Sequence, residues 1–406
     1  MESVHNNSHA NDYSGDFKLR RSAALLSVIL LFVINGVPLD VYGISSALVK
    51  GGGTFLIIAF GAYYSLKKST WSTYSVDRFG LVLLMLLLVA AVASISWTID
   101  ATSTQLEILV WLYIFSIALI LAPFSIEQGL TIFVTAFFVI CLFSIFAGLA
   151  GAPVFMDHQG AQRFQGILFG PHAFARPATL CVIILVSGVV TYRPAASIFI
   201  GIFIVACLVL TLSRQAYIAT LVGATLVLYF RLGATKRGWT LLVAVFAVAG
   251  FVVLLEMLGL LSTETVSRGE GDDITSFTGR TFIWAAAVQL IGENPIGGMG
   301  FGAGGIALQQ AYATATSGWS TFNAHNGFLQ AGMDLGAIGV ALLVTMIAVV
   351  VKKVVASRKP YLFALLISML LITFVERGIY GNGGMLFGLF TYMLVISPSK
   401  YTDSKC

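Results

Sequence analysis

The chain has 406 residues, of which 58% are hydrophobic and only 10% are charged, and its mean hydropathy is +0.92. A soluble protein carries about a quarter charged residues, so this composition excludes a soluble globular fold and predicts an integral membrane protein. The formal net charge is only +5, and no basic patch with interleaved aromatic residues accompanies it, so nucleic acid is excluded as a partner.

Apolar runs along the chain predict the fold class. A run of about 20 apolar residues crosses a lipid bilayer as a helix, and about twelve such runs occur here. We therefore expect an all-α polytopic membrane protein with about twelve transmembrane helices. The runs lie at 22–40, 52–66, 79–97, 105–122, 130–150, 178–192, 196–212, 215–230, 240–259, 327–351, 361–376 and 384–397.

These runs divide the chain into five parts. We predict a disordered cytoplasmic tail at 1–21, helices 1–9 within 22–259, one large extracytoplasmic loop with short helices at 260–325, helices 10–12 within 326–397, and a second cytoplasmic tail at 398–406. A polar stretch of this length between two membrane spans is typical of a segment that binds a ligand. The loop at 260–325 is therefore the predicted functional region.

Basic residues indicate the orientation. With both termini inside the cell, most lysines and arginines fall at cytoplasmic ends of the runs, as the positive-inside rule requires. All but one of the remaining cations are arginines, whose planar guanidinium suits phosphate or carboxylate, so an anionic ligand is predicted on the outer side. The alternative is that each arginine pairs with a nearby carboxylate or lipid headgroup. These outer cations are Lys50, Arg163, Arg176, Arg214, Arg268, Arg280 and Arg377.

Two shorter polar stretches also face outward. The first, at 151–176, contains Arg163 and the pair Pro171-His172. The second is the tight turn at 211–214, which has almost no loop between two apolar runs and therefore holds Arg214 close to the membrane surface.

A helix from Arg280 to Ile291 is predicted within the large loop, with Thr278 as its N-cap and with Gly292 and Pro295 ending it. Its apolar face predicts that the helix lies on the transmembrane bundle and directs Arg280 toward the centre. The residues of that face are Phe282, Ile283, Ala286, Ala287, Leu290 and Ile291.

Glycines follow this helix. The stretch Gly300–Gly305 matches GxGxxG, but no strand precedes it, so we interpret these glycines as a tight backbone path beside a bulky ligand and not as a nucleotide site. The acidic stretch at 270–273 is predicted to be a solvated loop, with a divalent-metal site as the alternative.

His325 lies immediately before the helix that is predicted to begin at Asn326. The helix N-terminus and the outward arginines disfavour the imidazolium, so the ring is expected to be neutral and able to accept a proton. The alternative is a structural histidine at a helix cap or an interface.

Asp334 and Glu376 are costly to bury and need partners. Neighbours in sequence do not face each other on a helix, so Glu376 is expected to serve a residue other than Arg377.

The chain resembles the superfamily of O-antigen ligases and O-antigen or exopolysaccharide polymerases. The resemblance covers nearly the whole chain, in its number of spans, its large loop before the tenth span and the order of its motifs. One departure is His172, where many relatives have asparagine. The motifs are Ser96-Trp97 with Asp100, Arg163-x-x-Gly166, Ser213-Arg214, Gly279-Arg280 with Ile283-Trp284, Pro295-x-Gly-x-x-Gly300, and Ala324-His325-Asn326 followed by Gly336.

The resemblance implies a GT-C-like glycosyltransferase of the bacterial inner membrane that requires neither a cofactor nor a metal. The donor would be an undecaprenyl-pyrophosphate-linked glycan, and the chemistry an inverting transfer on the periplasmic face during lipopolysaccharide or surface-polysaccharide assembly. By similarity, His325 would accept the proton of the acceptor hydroxyl, and Arg214 and Arg280 would neutralise the leaving diphosphate. Arg163, Arg176, Arg377, Glu376 and Asp334 are the further candidates for substrate binding.

Two activities of the superfamily differ only in their acceptor. A ligase uses the lipid A–core, and a polymerase uses a second lipid-linked repeat unit; the sequence does not separate them. A secondary transporter or flippase is a more distant alternative, although no internal repeat and no pair of broken helices supports it. A non-catalytic assembly subunit, which would tolerate loss of His325, is a third.

Overall fold

The computed structural model of the chain describes residues 20–30, 33, 76–158, 161–232, 280–315, 321–380 and 384–399. The predicted runs at 52–66 and 240–259 lie outside these residues, as do Lys50, Arg268, Thr278 and the acidic stretch at 270–273. The described part is mostly helical. Residues 20–30 are helical, and the named helices are α1 Arg78–Ala93, α2 Ala101–Leu121, α3 Ile126–Leu149, α4 Pro171–Ser187, α5 Pro194–Leu210, α6 Arg214–Arg231, α7 Arg280–Glu293, α8 Gly304–Ala315, α9 Gly327–Ser357, α10 Pro360–Val375 and α11 Met385–Val395.

Several of these helices have the length and apolarity that a membrane requires. Within the described residues, α1 with its following turn, α2, α3 and α9 are long and apolar enough to cross a bilayer, and α4, α5, α10 and most of α11 are shorter apolar helices. The predicted runs that fall there coincide with helices. This agreement confirms the class of helical membrane protein, whereas the number of about twelve helices stays a prediction.

Local sequence explains where the helices begin. Asp77, Asp100 and Asn326 cap α1, α2 and α9 by accepting hydrogen bonds from backbone N–H groups of the first turn. α3 begins with a capping box formed by Ser125 and Gln128. Three further helices begin with a proline at their first position, where no backbone donor is needed. They are α4, α5 and α10.

The polar stretch before α4 is shorter than predicted. The sequence prediction began this helix at 178, but α4 begins at Pro171, so Arg176 lies within the helix. The apolar run starts only after Pro177, and hydropathy therefore misses the two polar turns that precede it. The stretch also contains a small antiparallel hairpin of β1 Phe155–His158 and β2 Ala161–Phe164, which the all-α prediction missed because four-residue strands leave too short a pattern.

Helices α4, α6 and α10 pack closely and position the candidate site. At Gly223 of α6 an added Cβ atom would collide with side chains of α4 and α10, so only glycine permits this approach. Thr179 of α4 donates a hydrogen bond to the Ala216 carbonyl (3.2 Å), and Ser368 of α10 donates one to the Ala219 carbonyl (3.0 Å). These contacts fix the first two turns of α6 relative to the middle of α4 and the middle of α10.

The glycine segment, residues 297–302, lies against a break in α9. At Gly336 the backbone is not helical (φ 59°, ψ −146°). The Met299 N–H bonds the Met333 carbonyl (2.7 Å), the Gly300 N–H bonds the Asp334 carbonyl (3.1 Å), and the Ala337 N–H bonds the Pro295 carbonyl (2.8 Å). The segment therefore satisfies backbone groups of α9 that the break would otherwise leave unpaired.

This packing corrects the interpretation of the glycines. Added Cβ atoms at Gly298, Gly300 and Gly302 would collide with the backbone near Asp334, with Thr98 and with Glu107, respectively. These three glycines also have positive φ. The tight path follows the protein's own chain, and the expectation of a bulky ligand beside these glycines was wrong. Phe301 anchors the segment through an edge-to-face contact with Trp111 of α2 (5.4 Å between centroids).

Helix α7 confirms most of its predicted apolar face. Ile283, Ala287 and Leu290 are buried and pack with residues of α8 and α9. Phe282 was wrongly placed on this face, because 62% of its surface is exposed. It lies one residue before Ile283, about 100° around the helix, and so faces away from the buried stripe.

We predict that Gly336→Ala destabilises the protein. The added Cβ would collide with the carbonyl oxygens of Pro295 and Ile296, at a backbone conformation that favours glycine. The cost is about 1–3 kcal/mol, measured as a lower melting temperature in detergent. Gly292→Ala is the matched control, because no atom lies within 4 Å of the added Cβ. Equal melting temperatures for the two variants would contradict this account of the break.

Candidate functional site

His325 is held at the N-terminus of α9 in an unusual backbone conformation. Its φ is +49°, in the left-handed region that residues other than glycine seldom adopt. Asn323 accepts a hydrogen bond from the His325 N–H through Oδ1 (2.9 Å), and Trp284 of α7 donates one to the Ala324 carbonyl (2.9 Å). Asn326 then caps α9. The residues on both sides of His325 are therefore fixed, as strained residues at functional sites require.

The Glu376 carboxylate lies at the centre of the site. Glu376 follows α10 directly, and only 2% of its side chain is exposed. Its Oε1 atom lies 3.0 Å from Nδ1 of His325 and 3.1 Å from Nη2 of Arg280. One buried oxygen thus joins the end of α10 to the start of α7 and to the residues before α9. Arg280 and Trp284 are one helical turn apart, so α7 contacts this region with a single face.

Arg377 contacts Asn323 and the backbone beside it. Its Nε donates to Oδ1 of Asn323 (3.1 Å), and Nη2 donates to the Phe322 carbonyl. Asn323 in turn approaches Oε2 of Glu376 through Nδ2 (3.5 Å). The expectation that Glu376 serves residues other than Arg377 agrees with these contacts. Asn323 therefore links Arg377, the Glu376 carboxylate and the His325 backbone.

The surroundings of Glu376 favour its ionised form. Burial alone would raise the pKa of this carboxyl, but the hydrogen bond from His325 and the nearby positive charge of Arg176 hold the pKa well below the ordinary value of 4.5. His172 and Arg176, at the start of α4, therefore lie near this carboxylate. The site is an ionised carboxylate surrounded by cationic and imidazole groups.

The start of α6 contacts His172 of α4. Arg214 is the exposed first residue of α6. Arg163 is 5% exposed and donates to the carbonyls of Thr211 (3.1 Å) and Leu212 (3.4 Å), in the turn before α6. Nδ1 of His172 lies 3.2 Å from Oγ of Ser213 and 3.3 Å from Nε2 of Gln215. Arg163 is thus placed to support the turn that carries Arg214.

Asp334 occupies a different position from the other predicted residues. It is 3% exposed within α9, and its Oδ1 accepts hydrogen bonds from the Gly304 N–H (3.0 Å) and from Nε2 of Gln330 (3.1 Å). These contacts attach the start of α8 to α9 beside the glycine segment. The described contacts of Asp334 are structural, and its predicted role in substrate binding stays a prediction.

The site can receive an anion and remove a proton. Arg176, Arg280 and Arg377 bring more positive charge than Glu376 neutralises, and a neutral imidazole such as that of His325 can accept a proton. The catalytic and substrate-binding roles of these residues and of Arg214 stay predictions. Asn323, Trp284, Ser213 and Gln215 were not identified as site residues from the sequence. Across the described residues, no group of three or more His, Cys, Asp or Glu side chains could hold a metal ion.

One known protein family matches part of the chain. The family model described as O-antigen ligase matches residues 199–344, which include Arg214, Arg280, His325 and Asp334 but neither His172 nor Glu376. No curated protein matches the chain. The match supports a function of the O-antigen ligase or polymerase type. It confirms the resemblance found in the sequence for residues 199–344 of this integral membrane protein.

Proposed function

We propose that this protein transfers a glycan from undecaprenyl pyrophosphate to an acceptor sugar hydroxyl at the periplasmic face of the bacterial inner membrane. The supporting observation is the shared contact of His325 and Arg280 with the buried Glu376 carboxylate. It combines a general base with a cationic group, and the transfer needs both. The acceptor that we propose is the lipid A–core sugar, as the description of the matched family suggests.

His325 acts as the general base. Glu376 accepts a hydrogen bond from Nδ1–H, so the proton-free atom of the neutral ring is Nε2. Nε2 takes the proton of the acceptor hydroxyl as its oxygen bonds to the anomeric carbon. The ionised Glu376 then stabilises the imidazolium that forms, as an orienting carboxylate does in other histidine-dependent enzymes.

The arginines stabilise the leaving group. The bond between the anomeric carbon and the phosphate oxygen breaks, and its electron pair leaves with undecaprenyl pyrophosphate. Arg214 and Arg280 neutralise this diphosphate, with Arg176 and Arg377 as further candidates. In an inverting displacement the base and the leaving group lie on opposite faces of the sugar, so the diphosphate binds on the face away from Nε2 of His325. Arg280 shares a Glu376 oxygen with His325, so it must reach the diphosphate with the part of its guanidinium that does not contact Glu376. No metal ion is invoked in this mechanism.

The position of the cluster favours an enzyme over a transporter. His325, Glu376, Arg280 and Arg214 lie at helix ends, namely the starts of α9, α7 and α6 and the end of α10. Transporters place their substrate sites near the middle of the membrane, usually at two interrupted helices related by a repeat. A reaction on lipid headgroups instead requires groups at the membrane surface, and helix ends supply them.

We predict that His325→Ala and Arg280→Ala each abolish most glycan transfer. Loss of a general base or of one charge-stabilising donor typically costs about 10²–10⁴-fold in rate. The measurement is transfer in proteoliposomes supplied with a lipid-linked oligosaccharide, with insertion and melting temperature as checks on folding. Arg231→Ala is the matched control, because Arg231 lies at the opposite end of α6 from Arg214. Normal transfer by either site variant would remove its catalytic role.

We predict that Glu376→Gln lowers kcat about 10²-fold or more, because a neutral amide does not stabilise the imidazolium.

The effect of Glu376→Gln on stability depends on pH. The folded-state pKa of Glu376 is lowered, so its stabilisation is complete above 4.5 and is lost as pH falls through the lower folded value. The melting temperature of the wild type should exceed that of the variant by a constant amount at about pH 6–8, and the two should converge in acid. A difference that stays constant below pH 4.5 would contradict this role.

We predict that the lipid A–core is the preferred acceptor. The measurement offers lipid A–core and a second lipid-linked repeat unit in competition to the reconstituted protein. A labelled glycan should appear on the lipid A–core. Products that grow by repeat units on the lipid carrier would instead identify a polymerase, with the same donor chemistry.

A further inference from the structure

The turn before α6 is braced from two sides. Leu212 has a φ of +51°, a strained conformation for a residue other than glycine. The buried Arg163 guanidinium donates to the carbonyl of Leu212 and to that of Thr211 before it. These bonds satisfy carbonyls at the end of α5 and stabilise the positive φ of Leu212, which would be unfavourable in an unsupported turn. The backbone leading into Arg214 therefore depends on Arg163.

His172 supports Arg214 from the other side. Its Nδ1 atom contacts Oγ of Ser213 (3.2 Å) and Nε2 of Gln215 (3.3 Å), the two residues that flank Arg214. Ser213 is fully buried, whereas Arg214 is exposed. His172 is itself fixed at the start of α4, where Nε of Arg176 donates to its carbonyl (3.0 Å). One ring atom of His172 therefore holds both neighbours of Arg214.

We infer that His172 and Arg163 are positioning residues that present Arg214 to the diphosphate of the lipid-linked donor. This inference rests on the proposed function, which gives Arg214 its role at the leaving group. Neither residue has to touch substrate. Positive charge stabilises a departing diphosphate only when it is fixed in place before the reaction, and a small displacement removes much of the effect. Arg214 has a long side chain at the first residue of α6, so its guanidinium is held in place only if the backbone that carries it is rigid.

His172 makes both of its contacts with the residues beside Arg214 through Nδ1. Gln215 donates to Nδ1, so the neutral ring carries its hydrogen on Nε2. An asparagine at this position also carries a polar atom bonded to Cγ, close to the place of Nδ1. His172→Asn should therefore retain most of the brace, whereas His172→Ala removes it. If His172 instead acted on substrate through Nε2, the two variants would be equally impaired.

The test is a double-mutant cycle on the reconstituted full chain, with kcat/KM for the lipid-linked donor as the readout. Arg214→Ala is expected to lower this value about 10²-fold. His172→Ala is expected to lower it about tenfold in the wild-type background and less than about twofold in the Arg214→Ala background. His172→Asn should stay within about threefold of wild type. Gln215→Leu replaces His172→Ala in the cycle if the latter fails to insert.

Two results would overturn the inference. The first is an equal loss from His172→Ala in both backgrounds, which would show that His172 acts independently of Arg214. The second is a loss from His172→Asn as large as that from His172→Ala. Failure of the proposed function gives a different result, because wild-type protein would then transfer no glycan, or Arg214→Ala would transfer it normally.

Discussion

The buried carboxylate of Glu376 is the contact on which the arrangement of the site depends. A single oxygen receives Arg280 and His325, which come from separate parts of the chain. An isolated ionised carboxylate would be costly to bury, and each partner offsets part of that cost. The contact therefore orders the start of α7, the residues before α9 and the end of α10 together. It also orients the His325 ring.

The broken helix α9 gives the site its rigid support. The glycine segment passes so close to the break at Gly336 that added Cβ atoms would collide with the backbone. It hydrogen-bonds α9 before the break, and Pro295 and Ile296, which precede the segment, hydrogen-bond α9 after the break. Asp334 fixes the start of α8 to the same place. The chain between α7 and α8 therefore packs against α9, and its backbone groups are paired although they lie in an apolar environment.

The sequence predicted the features that depend on local pattern. Apolar runs located the helices, and the start of α9 was predicted at Asn326, one residue before its first helical residue. The distribution of basic residues separated Arg214, Arg280 and Arg377 from Arg231 and Lys359. Local pattern could not supply the partners of these residues. Arg280 and Glu376 are 96 residues apart in the chain, and His325 and Glu376 are 51 apart, so their contact exists only after the helices pack. For the same reason Glu376 was expected to bind substrate, whereas its described contacts are with Arg280, Asn323 and His325.

The most direct test of the account is a structure of the full chain in a lipid bilayer with an undecaprenyl-pyrophosphate-linked donor bound. The account predicts that the diphosphate lies within hydrogen-bond distance of Arg214 and Arg280, with Nε2 of His325 facing the anomeric carbon from the opposite side of the sugar. A diphosphate bound at the other end of the helices, beside Arg231 and Lys359, would contradict it.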